Sequence, residues 1–422
     1  MNNKPTIAFY GPIDTYSGYG SCARDFIKAL YEIKHEEYDI KIISCMWGQT
    51  PRNYIKSHED NWGWLNSLIV PRLTSQPDVW VMCTVPNEMK PIGKYNILVT
   101  AGIETDLCSG EFIEGCNKAD LVITHSSHSK DTFLGTVYDK KYKDGRVETV
   151  KVQKPIKILF EGIPEEKFYP IKDKDKISFN LDDVKENFCY LGVGHWIGEG
   201  FPIGNDRKNI GLLIYKFLDT FKNTSNPPAL ILKTCKSNSS YVDRDKVLAE
   251  IELIRKKFNS KNLPNIYLIH GDLTEEEMNE LYNHPKVKAL VSLGSEGFGR
   301  PMLEASFCNI PVITIPWSGQ LDFLDSECTY FVGGKLEPVH SSALSKEMIV
   351  EGAKWFRVDE GKLGKALKDV KKDYKKWKEK ALLLGHKNRK EFNLNSMVKE
   401  LKIILDDHIE KTPEKIDIKL PK

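Results

Sequence analysis

A chain of 422 residues exceeds a single ordinary hydrophobic core, so two or three domains are expected. Hydrophobic residues at 41% and charged residues at 28% exclude general disorder, and a formal net charge of +2 gives no global pull toward nucleic acid or anionic membrane. Nine cysteines, an odd number without a C-x-x-C pair, argue against a disulfide framework; Cys83, Cys189 and Cys235 sit in apolar runs as small hydrophobes, which suits a reducing, cytoplasmic setting.

Thr6-Ile7-Ala8-Phe9-Tyr10 reads as a first strand, with no secretory leader expected ahead of it. No stretch approaches the roughly 18 apolar residues that span a bilayer, so any membrane contact is expected to be peripheral. Gly18-Tyr19-Gly20 follow as a loop, then a helix over 22–33. Further strands are predicted at 40–44, 79–83, 97–100, 121–124 and 156–160. Tyr54, Trp62 and Trp64 stand among Asn53, Asn61 and Asn66, either as local packing or as an exposed acceptor-binding surface. His125 and His128 are spaced H-x-x-H with no third or fourth ligand nearby, which argues against a metal site.

The charged stretch 171–187 reads as a linker between a first domain, 1–170, and a second, 188–390, with a closing helix and tail over 391–422. Strands at 188–192, 229–233, 266–270, 289–293 and 312–315 alternate with helices at 210–221, 245–258 and 275–282. That alternation is the pattern of βαβ units and a parallel sheet. The expected class is therefore α/β, two doubly wound domains whose strand carboxyl edges face a central cleft, where open sheets bind ligands. The glycine-rich loop 197–206 reads as a mobile flap. Asp243-Arg244-Asp245 is formally D-x-D but follows a Ser/Asn-rich loop and reads as a helix cap. Lys371, Lys372, Lys375, Lys376, Lys378 and Lys380, interleaved with Asp369, Asp373 and Glu379, read as the solvated face of a helix, with an anion-binding patch as the rival. Leu394, Met397, Leu401, Ile404 and Leu405 recur at helical spacing and predict a packed closing helix over 393–408, followed by a frayed tail after 411.

The most informative stretch is VSLGSEGFGRPMLEASFCNIPVITIPWSGQLDFL, from Val291 to Leu324. A buried strand ends near Leu293, a glycine loop follows, and a helix starts near Pro301, since proline suits the first helical position. Asn309 is expected to end that helix in the left-handed conformation. Gly297 and Gly299 let main-chain amides approach a ligand, and the helix N-terminus favours an anion. Glu296 and Glu304 flank this loop; beside a diphosphate their natural partners are sugar and ribose hydroxyls. The same pattern also suits an ordinary strand–loop–helix whose acids cap neighbouring amides.

The E-x7-E spacing in S-E-G-F-G-R-P-M-L-E-A, followed by P-V-I-T and W-S-G, resembles retaining GT-B glycosyltransferases of family four. The resemblance implies two Rossmann-like domains and a nucleotide-sugar donor, UDP- or GDP-linked, with no cofactor and no metal ion. It implies that Glu296 contacts hydroxyls of the donor sugar, that Glu304 binds the ribose, and that main-chain groups of Gly297, Phe298 and Gly299 face sugar and phosphate. Asp206-Arg207-Lys208-Asn209 looks like the family's basic element, whose lysine, here Lys208, contacts the diphosphate. Lys233, ending a strand, is similar to a family base at that place, and two such cations would stabilise the leaving group. Gly18 and Gly20 resemble the N-terminal glycine loop, and residues 158–170 resemble the motif closing the first domain. Leu273, beside Asp272, falls where the nucleotide base is expected.

Departures are also present. Gly194-His195 stands where many members carry Gly-Arg, so His195 or Lys233 is expected to supply the missing donor or charge. The frequent histidine after Val99 is replaced by Thr100-Ala101-Gly102-Ile103-Glu104, making Glu104 a candidate for acceptor orientation or acid–base work, or simply a structural carboxylate. Arg300 receives no role. The acceptor is left open among glycan, lipid-linked, protein and nucleic-acid classes. Rival readings are a non-catalytic GT-B-like binding protein and a sugar-nucleotide epimerase of the same fold.

Overall fold

The computed structural model describes residues 4–198, 206–260, 262–345 and 347–409. The first sheet contains β1 (Thr6–Gly11), β2 (Asp39–Ser44), β3 (Val79–Cys83), β4 (Tyr95–Thr100) and β5 (Leu121–Thr124). An exposed hairpin of β6 (Tyr138–Lys141) and β7 (Val147–Val150) precedes its last strand, β8 (Ile156–Ile158). The order is β2-β1-β3-β4-β5-β8 and every pairing is parallel. β3 and β5 are buried at every position, as strands covered by helices on both faces require.

The second sheet contains β9 (Cys189–Val193), β10 (Ala229–Lys233), β11 (Ile266–Ile269), β12 (Val287–Val291), β13 (Val312–Thr314) and β14 (Tyr330–Phe331), ordered β11-β10-β9-β12-β13-β14 and again parallel. An antiparallel pair, β15 (Gly334–Pro338) and β16 (Lys354–Val358), follows. The strand order reverses between β1 and β3 in one sheet and between β9 and β12 in the other. These are the topological switch points at which such sheets open a crevice.

The helices are α1 (Gly18–Lys34), α2 (Tyr54–Ser57), α3 (Glu59–Trp62), α4 (Gly110–Lys118) and α5 (Ser127–Gly135) in the first half. The second half adds α6 (Ile210–Phe221), α7 (Tyr241–Arg255), α8 (Glu275–Asn283), α9 (Arg300–Phe307), α10 (Glu360–Lys372), α11 (Tyr374–Glu391) and α12 (Leu394–Ile409). None is long and apolar enough to cross a membrane. The predicted closing helix is α12. Its Leu394, Met397, Leu401, Ile404 and Leu405 join the core of the first domain, against α1. The chain thus returns to the domain in which it began.

That return is stitched by backbone. Ile163 N donates to Phe392 O at 3.0 Å, and Leu394 N donates to Ile163 O at 3.0 Å. A Cβ on Gly162 would stand 2.8 Å from Leu394 Cα, so only glycine lets the two crossing strands of chain approach this closely.

The packing corrects some expectations and decides between others. The stretch 171–187, read as a linker, packs along α8. Ile171 N donates to Asn283 Oδ1 at 2.8 Å, Ser178 N and Phe179 N donate to Glu280, and Leu181 and Val184 are buried with Leu281. The lysine-rich helix is two helices, broken at Asp373. Lys372, Lys375 and Lys376 are exposed as expected, whereas Lys378 donates to Asn309 O at 2.7 Å and its ammonium is pushed down to about 8 by burial. α7 is capped by Ser240, not by the Asp243 triplet; Asp243 instead accepts from Lys236 N and Ser237 N at 2.9 Å and so ties down the preceding loop. Tyr54 and Trp62 are buried, with the Arg24 guanidinium 3.4 Å above the Tyr54 ring, so local packing accounts for them. Residues 199–205 of the loop 197–206, read as a flap, and the tail after 411 lie outside the described residues.

Candidate functional site

The carboxyl edges of the two sheets face one another, and charged residues from both meet there. α6 starts from a loop whose fold follows from its sequence. Asp206 accepts from Ile210 N at 2.8 Å and Gly211 N at 3.1 Å, filling amides that a helix start leaves unpaired. Burial pushes its carboxyl up to about 6. Asn209 adopts the left-handed conformation and its amide donates to Leu293 O at 3.0 Å. Pinned on both sides, Arg207 and Lys208 project into the cleft.

Lys208 Nζ pairs with Glu296 Oε1, and Arg207 pairs with Glu104 Oε1 while standing 4.0 Å from Glu296 Oε2. Glu104 follows β4 of the first domain, so this cluster bridges the cleft. Burial lowers the Lys208 ammonium against the opposing pull of Glu296. The His195 imidazole and the Lys233 ammonium complete the group at the edge of β9 and β10. The His195 imidazole is lowered by burial and then by the nearby charges of Lys233, Lys208 and Arg207, and burial lowers Lys233 as well. Neither forms an ion pair among the described residues.

Closure at this point is close. A Cβ on Gly297 would stand 2.2 Å from Ala101 O in the first domain, and one on Gly319 would stand 2.0 Å from Gly297 O. Trp317 Nε1 donates to Glu104 O at 3.5 Å and the Trp317 ring meets His128 edge-on at 5.0 Å. Ser127 N donates to Asp322 Oδ2 at 2.8 Å across the same interface.

The predicted residues divide. Glu296, Lys208, Glu104, His195 and Lys233 converge as one cluster. Glu304 belongs to a second, buried one: it accepts from Arg300 Nε at 3.0 Å and from Tyr282 OH at 3.2 Å, and burial raises its carboxyl to about 7. Arg300, expected to have no role, also donates to Asp25 Oδ2 at 2.6 Å and lies 3.7 Å from Glu161 Oε2, tying α9 to the first domain. α9 begins at Arg300 with Pro301 in its first turn, and Asn309 has φ 59°, both as expected.

Gly299 caps that helix at φ 103°, and the Phe298 ring is buried against Phe323 at 5.1 Å. Gly18 and Gly20 are not a loop but the first turn of α1. Gly20 N is taken by Ser17 Oγ at 2.9 Å, and a Cβ on Gly20 would stand 2.4 Å from Thr15 O; Gly18 faces open space. Leu273 is half-buried at the edge of the second core, beside Asp272, which accepts from Ser239 Oγ at 2.7 Å. His125 is buried, with Nε2 3.1 Å from Cys22 Sγ and Nδ1 2.8 Å from Leu159 O, so it does not pair with His128. The residue that sequence reasoning passed over is Arg207. Its signal was present in the Arg-Lys dipeptide that Asp206 and Asn209 bracket.

No family model matches the sequence, and no curated protein matches it either. Solved structures do match along nearly the full length. Anabaena HepE, crystallised in complex with UDP-glucose, has a TM-score of 0.61 at 15% identity, covering 95% of this chain and 99% of that one. Sucrose-phosphate synthase from Thermosynechococcus elongatus gives 0.60 at 11% identity over 96% and 99%. WaaG, a glycosyltransferase involved in lipopolysaccharide biosynthesis, gives 0.57 at 14% over 94% and 99%. With the two parallel sheets, their facing edges and the returning C-terminal helix, these matches establish that the chain has the GT-B fold.

Proposed function

We propose that the chain is a nucleotide-sugar-dependent glycosyltransferase that transfers a sugar from a UDP- or GDP-linked donor to an acceptor hydroxyl with retention of configuration, without a metal ion. One observation carries the reading: Arg207, Lys208, Lys233 and His195 gather at the carboxyl edge of the second sheet, while among the described residues only Glu296 and Glu104 form ion pairs with them. Three half-buried cations beside an imidazole donor suit a diphosphate, and positive charge held in place stabilises a departing nucleoside diphosphate as its bond to the sugar breaks. The same cations do the work a divalent metal would do.

A diphosphate competes with both carboxylates for their partners. Its uptake by Lys208 and Arg207 releases Glu296 toward sugar hydroxyls and Glu104 toward the acceptor held by the first domain. Gly297, Phe298 and Gly299 offer main-chain groups alongside, and Glu304 the ribose contact, once its bonds to Arg300 and Tyr282 yield. Leu273 would receive the base, and Gly18, with open space around it, would approach the phosphates and the acceptor. The UDP-glucose held by HepE supports a sugar nucleotide of this class. Nine free cysteines suit a reducing, cytoplasmic setting.

A thermal-shift screen of UDP, GDP, ADP and their sugar conjugates tests the reading, since a ligand that binds only the native state raises its melting temperature. At least one nucleoside diphosphate is expected to do so, and product analysis with its sugar conjugate to show a transferred or hydrolysed sugar of unchanged anomeric configuration. Binding without turnover would point to a carbohydrate-binding scaffold, and an epimerised nucleotide sugar to an epimerase.

A further inference from the structure

Glu296 sits on a loop, between a strand that has ended and a helix that has not begun, so no ladder holds its backbone. The hold comes from residues 318 and 319. Glu296 N donates to Ser318 Oγ at 2.7 Å, Ser318 Oγ stands 3.0 Å from Glu296 O, and Gly319 N donates to Glu296 O at 2.9 Å. The same hydroxyl lies 2.9 Å from Gln320 Oε1, so its one proton serves either acceptor. Ser318 is buried.

Its backbone is unusual. Ser318 has φ 70° and ψ −160°, a region populated almost only by glycine. The other described non-glycine residues at positive φ are all asparagines, Asn53, Asn209, Asn223 and Asn309, the type that tolerates such a turn. A serine there gains nothing locally. Its hydroxyl is what glycine lacks, and that hydroxyl accepts from Glu296 N and lies within hydrogen-bond reach of Glu296 O. One position earlier, Trp317 Nε1 donates to Glu104 O, so adjacent residues of one strained loop grip the backbones of both acids in the cleft.

We infer that Ser318 is a positioning residue, kept in a glycine conformation so that its hydroxyl fixes the backbone, and thereby the carboxylate, of Glu296; its consequence for turnover rests on the donor-site reading. The role is separable from general packing. Glu296 addresses sugar hydroxyls, while the diphosphate is held by cations that Ser318 does not touch. Loss of the hydroxyl therefore impairs handling of the sugar and spares binding of the bare nucleotide.

Ser318→Ala and Ser318→Gly test this together, because both remove the hydroxyl and only glycine relieves the backbone. UDP with UDP-glucose, and GDP with GDP-mannose, serve as probe pairs, measured by calorimetry and by donor hydrolysis. Both variants are expected to lose at least about tenfold in hydrolysis kcat, as misplaced catalytic groups do, while nucleotide Kd stays within about twofold of wild type. Glycine ordinarily melts below alanine through its larger unfolded entropy; here the order is expected to reverse, Ser318→Gly melting about 2–4 °C above Ser318→Ala. Wild-type turnover in either variant, a parallel loss of nucleotide affinity, or alanine melting at or above glycine overturns the inference. A wild-type chain inert to all four probes removes the donor-site reading and the consequence for turnover, while the melting order still decides the strained clamp.

Discussion

The Arg207 guanidinium, carried by the second domain, pairs with the Glu104 carboxylate, carried by the first. It is the cleft's one direct contact between the cationic cluster and a side chain of the opposite domain among the described ion pairs of that cluster. Arg207→Ala is expected to weaken nucleoside diphosphate binding by about ten- to a hundredfold, the loss of a charge-assisted contact. Glu104→Gln removes only the competitor, so nucleotide affinity is expected to hold or improve while transfer falls. Calorimetry beside a transfer assay separates the two outcomes, and equal nucleotide loss in both variants would refute the assignment.

Glu296→Ala and Lys208→Ala are each expected to reduce transfer by at least about a hundredfold with the fold intact. Circular dichroism and a melting curve check the fold. Normal turnover in either variant removes that residue from the site.

His195 predicts a pH dependence. Its imidazole is lowered by burial and by the cations around it, so the unliganded site holds it neutral. A bound diphosphate favours the protonated form, so binding takes up a proton and affinity rises as pH falls from 8 toward 6. His195→Gln flattens that profile. In the unliganded protein the sign is opposite: a lowered folded value means that stability from His195 is lost as pH falls below about 6.5. Calorimetry in two buffers of different ionisation enthalpy counts the proton directly.

Much of the fold was legible because continuous apolar runs, such as 79–83, 121–124 and 229–233, announce strands buried on both faces, and the structure places β3, β5 and β10 there. The exposed hairpins were not. β6 reads Tyr-Asp-Lys-Lys and β7 Val-Glu-Thr-Val, half or fully exposed, with no buried face to write a period into the sequence. The break at Asp373 was hidden because lysines on both sides keep a helical pattern. Within the site, short-range signals carried Glu296 and Lys208, whereas the tie of Arg300 to Asp25, 275 positions away, is a relation no local spacing encodes.

Glu304 gives a second pH signature. Burial raises its carboxyl from 4.5 to about 7, so the stability it contributes is present below 4.5 and is lost as pH rises through 7. Glu304→Gln is therefore expected to melt progressively higher relative to wild type between pH 5 and 8. A constant difference across that range would contradict the assigned burial.

The cap at α6 offers a stability test. Asp206→Ala leaves Ile210 N and Gly211 N without their acceptor and is expected to cost about 1–2 kcal/mol. Because this cap also aims Arg207 and Lys208, nucleotide affinity is expected to fall with it, whereas a cap lost elsewhere, such as Ser240→Ala on α7, lowers stability alone.

Lys233 isolates the central claim: burial lowers its ammonium more than the nearby Cys235 and Asp272 raise it, and no carboxylate among the described residues forms an ion pair with it. A cation kept at such a cost needs an anion to justify it. Calorimetric titration of the tightest-binding nucleoside diphosphate into wild type and Lys233→Met is the direct measurement. A donor cradle predicts a variant that melts higher than wild type yet binds the diphosphate at least about tenfold more weakly, with affinity for the bare nucleoside unchanged. Equal diphosphate affinity in the two proteins would contradict it.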